Sequence, residues 1–144
     1  MVAFFLAESL GSESAAARAC IETTRALQEA VAEVALRSGL EPESVGLCFG
    51  IHRGSTLYVG SISTAGRNEV TVLGDEVNEG ARIEACAAGR RTLALKAIVE
   101  RLDDTDAAAV GLHPDRILYT TLSDVPTATD KARRDAPSVA VYEI

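Results

Sequence analysis

Hydrophobic and polar positions change period several times along the chain. The opening run Met1–Leu6 is wholly apolar and predicts a short buried strand. From Ser12 to Arg37 the pattern becomes helical. Ala16, Cys20, Leu27, Val31 and Val34 share one stripe, and Glu22, Arg25, Glu29 and Glu33 take the other face. Gly39 is placed to end this helix in a left-handed conformation, and Pro42 prevents its resumption.

Strand-like patterning then returns. "SVGLCFGIH" (44–52) predicts a buried strand, "RGS" a turn, and "TLYVGSI" (56–62) a second strand in hairpin with the first. "STAGRNE" is a polar loop, and "VTVL" (70–73) a third strand broken by Gly74. Asp75 is a good N-cap for a helix of about three turns ending near Gly89. "RTLALK" fits either a strand or the start of a helix running through Ile98 and Leu102. "DDTDAAAVGLHPD" predicts a helical turn and a loop. "RILYTTL" and "SVAVYEI" close the chain as two strands, joined by the polar "SDVPTATDKARRDAP". Helices alternating with strands that also pair as hairpins predict an α+β sandwich. Its sheet is antiparallel or mixed, with helices packed on one face.

Composition narrows the class. A chain of 144 residues predicts one domain over 1–144. With 4% aromatics and no Trp, the core must be built from Ala, Val, Leu and Ile. A net charge of -7 argues against a broad nucleic-acid surface, which needs a basic face, but leaves room for a nucleotide met by local cations. Three cysteines, Cys20, Cys48 and Cys86, match no metal spacing and predict reduced, buried thiols. No apolar run approaches the ~20 residues of a membrane span. The start lacks a basic n-region, so no signal peptide is expected and a cytoplasmic location follows.

The candidate chemistry lies in "VTVLGDEVNEGARIEA" (70–85). Asn78 and Arg82 stand one helical turn apart and share a face. Alone they would read as solvated helix residues. Their surroundings change that: Gly50-Ile51-His52-Arg53-Gly54, then Gly60 and Arg67, then Thr71-Val72-Leu73-Gly74-Asp75-Glu76-Val77-Asn78, then Ala81-Arg82. This order and spacing resembles the catalytic domain of the class III nucleotidyl cyclases, the adenylate and guanylate cyclases. "MVAFF" with the Ala-rich helix after it, and "KARRDAPSVAVYEI", look like flanking parts of the same domain.

The resemblance implies a ferredoxin-like sandwich of the cyclase type, mostly antiparallel and N-terminally truncated. It also implies ATP as substrate, 3′,5′-cAMP and pyrophosphate as products, and a site shared by two domains paired head to tail, as a homodimer or with another cyclase domain. By resemblance Asn78 orients the ribose and Arg82 stabilises charge on phosphorus. Thr71 helps choose the purine, Leu73 and Gly74 join it as substrate-binding positions, and Arg134 reaches the polyphosphate from a basic cluster with Lys131 and Arg133. An Arg fork suits a phosphoryl group because it donates two bonds and keeps its charge.

Mg2+ or Mn2+ is implied too, but the two aspartates that hold it in the family would precede Met1, so its ligands are not expected here. Asp103, Asp104 and Asp106 read as a solvated turn. Two expectations follow. One is a cyclase homologue supplying the Asn/Arg half of a dimeric site. The alternative is a non-catalytic nucleotide-binding or dimerisation module. Strand exchange or a partner chain would repair a missing central strand. His52 is expected to be structural, His113 has no assigned role, and Asp75 is expected to cap rather than bind. Val70, Ser63 and Glu79-Gly80 depart from the family pattern, and Gly80 is expected to weaken its helix by roughly 1 kcal/mol.

Overall fold

A computed structural model describes residues 1–55, 58–64 and 66–144, with the backbone alone at 64 and 67–71. Residues 1–6 are not a strand. Their chain leads into a single helical turn, α1 (Ala7–Leu10), and Met1, Val2, Phe4 and Leu6 are exposed. An apolar run becomes a strand only where a partner strand offers its hydrogen bonds.

The long helix α2 (Glu13–Arg37) has the expected bounds, but its buried side is Ser14, Ala16, Ala17, Ile21, Thr24 and Ala35. Of the expected stripe only Ala16 is buried and Val34 is exposed, because the side that faces the core is set by what packs on it. The Ser12 hydroxyl caps it by accepting from Ala15 N at 2.9 Å. At the other end Gly39 takes φ 71°, Gly39 N donates to Leu36 O, and Leu40 N donates to Ala35 O. That pair of bonds is a Schellman stop.

Next come β1 (Phe49–Ile51), β2 (Tyr58–Thr64), β3 (Arg67–Leu73) and helix α3 (Asp75–Cys86). The chain continues through β4 (Thr92–Leu95), α4 (Lys96–Val99), α5 (Asp104–Ala109), β5 (Thr120–Thr121), α6 (Asp130–Asp135) and β6 (Ala140–Glu143). The stretch "RTLALK" begins as a strand, β4, and passes at Lys96 into the single turn α4, which stops at Val99 and does not run through Leu102.

A mixed four-stranded sheet has the order β1-β4-β6-β5. β1 runs parallel to β4, with Phe49 opposite Thr92. β6 is antiparallel to β4 and β5. β2 does not pair with β1, as the sequence pattern suggested. It pairs with β3 in a separate antiparallel ribbon, from Tyr58 opposite Leu73 to Thr64 opposite Arg67.

The expectation of helices on one face is corrected by the core. One cluster joins Ala17 and Ile21 of α2, Ile51, Ala94, Ile98 and Val99 with the α5 region. The other joins Ile83 and Cys86 of α3, Leu93, Leu122, Val125, Ala132 and Val141. Successive β4 residues, Leu93 and Ala94, point to opposite faces, so both faces are covered. A short strand with the consecutive apolar residues Leu93, Ala94 and Leu95 after a buried Thr92 is what a doubly covered position requires.

Gly50 explains how α3 lies so close to β1. A Cβ there would stand 2.4 Å from Glu84 N and 2.8 Å from Gly80 O. Gly80 faces His52 in turn, where an added Cβ would lie 3.3 Å from the His52 Cβ. The glycine that weakens α3 as a helix therefore belongs to its packing.

Candidate functional site

The site residues hang on α3. Gly74 precedes the helix at φ 156°, ψ 156°, a conformation nearly confined to glycine. Asn78 N closes the first helical bond to Gly74 O at 3.1 Å. Asp75 is the first residue inside the helix and makes no capping bond, which corrects its expected N-cap role. With Glu76 it puts acidic charge in the first turn. Such charge complements the helix dipole and disfavours an anion at that end. Glu76 accepts from Ser55 N at 3.1 Å and Ser55 Oγ at 3.0 Å.

Asn78 and Arg82 project from one face of α3, as their spacing requires, with Cβ atoms roughly 5–6 Å apart by helical geometry. Asn78 is exposed. Arg82 turns toward α6, where its Nη2 lies 3.8 Å from Asp135 Oδ2. That is an ion pair but too long for a hydrogen bond. Arg82 Nε is buried and has no hydrogen-bond partner among the described residues.

Asp135 also meets Arg134, whose Nε donates to Oδ1 at 2.8 Å and whose Nη2 lies 3.4 Å from Oδ2. The two arginines proposed from sequence are thus brought together through one carboxylate. The Arg134 guanidinium beside Asp135 holds that carboxyl below the usual range, with Arg82 and Lys131 adding to the effect. Arg133 turns away and donates to the Ser123 carbonyl.

Leu73 ends β3 with its side chain exposed, and Gly74, Asp75, Glu76 and Tyr58 line an open depression beside it. The backbone of Thr71 pairs with Gly60, and its side chain lies outside the described residues. The structure therefore gathers Arg82 and Arg134 at the C-terminal end of α6, while Asn78 lies one turn back along α3 in its first turn. It puts Leu73 and Gly74 at the N-terminal end of α3.

His52 is nearly buried and its Nε2 pairs with Glu79 Oε1 at 2.8 Å, in keeping with a structural place. Cys20, Cys48 and Cys86 are all free thiols. Burial pushes Cys20 up to about 11, which suppresses its reactive thiolate. Among the described residues no three His, Cys, Asp or Glu side chains converge as a metal cage.

Sequence reasoning missed α6 and with it Asp135. The available signal was Thr129, whose hydroxyl accepts from Ala132 N at 3.1 Å and starts that helix. Among the described residues no helix is long and apolar enough to cross a membrane. No protein-family model, curated protein or solved structure matches the chain.

Proposed function

We propose that this chain is a class III nucleotidyl cyclase homologue, an adenylate cyclase by its Thr71 signature, which supplies the ribose- and phosphate-facing half of a site completed by a second domain. The observation that carries this reading is the shared α3 face of Asn78 and Arg82, with Arg134 reaching the same neighbourhood. Asn78 is exposed and free to hydrogen-bond a ribose. Arg82 brings a permanent charge with an unsatisfied donor. In the reaction the ribose 3′-oxygen bonds to the α-phosphorus while the bond to the bridging oxygen breaks. Pyrophosphate leaves with that electron pair, and the hydroxyl proton is lost. Negative charge grows on the phosphoryl oxygens, and a fixed guanidinium is best placed to stabilise it. Arg134 would hold the departing polyphosphate.

The test is cAMP formation from Mn-ATP by the chain mixed with a competent cyclase half that lacks its own Arg. Production that falls about 10²–10³-fold in Arg82→Ala supports the reading. An unchanged rate in that variant overturns it.

A second reading, a nucleotide-binding or dimerisation module without turnover, is favoured by the β2–β3 ribbon. Every β2 side chain from Tyr58 to Ser63 is exposed, including Val59 and Ile62, and Leu73 across from Tyr58 is exposed as well. A two-stranded ribbon with this much uncovered apolar surface suits pairing with another domain. ATP binding by calorimetry and complex formation by sedimentation, with no turnover in any mixture, is the outcome that selects this reading over the first.

A further inference from the structure

We infer that Asp135 is an internal competitor for the anion that Arg82 and Arg134 face, a latch that a phosphate or polyphosphate group displaces. The inference rests on the proposed nucleotide-facing role of α3 and adds to it a residue that sets the site's affinity.

Asp135 is the last residue of α6. A carboxylate at a helix C-terminus opposes the partial negative charge of the last carbonyls, so the helix itself gives it no reason to be there. Two arginines do. Arg134 grips both oxygens, and Arg82 approaches Oδ2 from α3, an element far away in sequence. Lys131, one turn earlier on α6, adds a third positive charge acting on the same carboxyl.

The fit to Arg82 is incomplete. Its Nη2 stops at 3.8 Å and its buried Nε has no hydrogen-bond partner among the described residues, so the planar fork is not engaged. A tetrahedral anion entering between the arginines can approach the Arg82 Nη2 to hydrogen-bond distance while also accepting from Arg134, which a carboxylate tied to Arg134 does not. Arg82 and Asp135 keep about a quarter of their side-chain surface open, 25% and 27%, so an ion from solvent can reach them. The exchange leaves the cations paired with an anion before and after, and strands no buried charge. A phosphate group brings nearly two negative charges where the carboxylate has one, which favours exchange toward the ligand. The chemical class is therefore a phosphate-bearing anion, such as pyrophosphate or the polyphosphate end of a nucleotide.

The experiment titrates inorganic pyrophosphate, without added metal and at fixed low salt, into the full chain and into Asp135→Asn, Arg82→Ala and the double variant. Asp135→Asn should bind pyrophosphate roughly tenfold more tightly, the scale of one charge-assisted hydrogen bond. The double variant should lose that gain. Equal or weaker binding by a folded Asp135→Asn chain, or no binding by any form, overturns the inference. The unaltered chain gives a second measure that depends on no substitution. The Asp135 carboxyl signal in carbon NMR should titrate at higher pH with pyrophosphate bound than without it, and an unmoved midpoint overturns the latch. Parallel titrations with ATP separate this idea from the reading beneath it. ATP bound no better than pyrophosphate, with the Asp135→Asn gain intact, removes the nucleotide reading and keeps the latch. ATP bound more tightly than pyrophosphate, with no effect of Asp135→Asn, removes the latch and keeps the reading.

Discussion

The four-stranded body and the β2–β3 ribbon are built from similar residues and have opposite fates. In the body, Leu93, Ala94 and Val141 are buried, because a helix lies over each face of the sheet. In the ribbon, Tyr58, Val59, Ile62 and Leu73 are all exposed, with the consecutive Tyr58 and Val59 on opposite faces. Apolar residues stand on strands in both places, and cover differs. The body contributes the stability. The ribbon contributes surface, at little thermodynamic consequence to the isolated chain, since two strands alone are marginal in water.

Mutations can sharpen or break that contrast. Ile83 is fully buried between α3 and the sheet, and Ile83→Ala should cost about 2–5 kcal/mol in denaturant unfolding. A loss below 1 kcal/mol would show that this side of the body is not packed as described. Gly50→Ala should come next, at about 1–3 kcal/mol, because its new Cβ meets the α3 backbone rather than a side chain that can swing away. Thermal melts of the two alanine variants together measure how tightly α3 is clamped to β1 and β4.

Acid should weaken the body through Asp106. The Ser14 hydroxyl donates to its carboxylate and Arg18 pairs with it at 3.3 Å, and these bonds hold its pKa below the ordinary value. A depressed pKa stabilises the fold fully above the unfolded value of about 3.9 and loses that contribution as pH falls through the lower, folded value. Asp106→Asn should flatten the acid limb of the stability curve below about pH 4. An acid limb identical to that of the unaltered chain argues against the bond.

The smallest stability effect belongs to the ribbon. Tyr58→Ser with Ile62→Ser should change unfolding free energy by about 0.5 kcal/mol or less. On the proposed reading of the ribbon as a pairing surface, the same double change should weaken association in sedimentation. A large loss of stability in this variant would mean that the ribbon is covered after all, and the contrast with the body would collapse.

Local signals in the chain were strong where one element explains itself. The helical period over 12–37, the Ser12 cap and the Gly39 stop set the bounds of α2, while its buried side, with Ala17, Ile21 and Thr24, was decided by what packs against it. Gly74 marks the β3–α3 junction, and i,i+4 spacing puts Asn78 and Arg82 on one face whatever packs nearby. Legibility ended where partners far apart in sequence were needed. "SVGLCFGIH" looks like a hairpin partner for the next strand, yet Phe49–Ile51 pairs in parallel with β4 some forty residues on. "MVAFFL" carries the pattern of a buried strand and stays outside the sheet. The α6 helix was hidden by its polar composition, since only Ala132 among its six residues is buried.

By itself, then, the sequence determined the α2 and α3 helices, the turn glycines, the apolar strand segments and the helical face that carries Asn78 and Arg82. These depend on dihedral preferences and on contacts within a few residues. Only the tertiary structure decided that helices cover both faces of β4, that β2 and β3 stand apart as a ribbon, and that Arg82 and Arg134 meet across Asp135. Each of those is a contact between distant segments. Loop closure makes many such pairings similar in local cost, and which one wins is settled by burial and charge pairing summed over the whole fold.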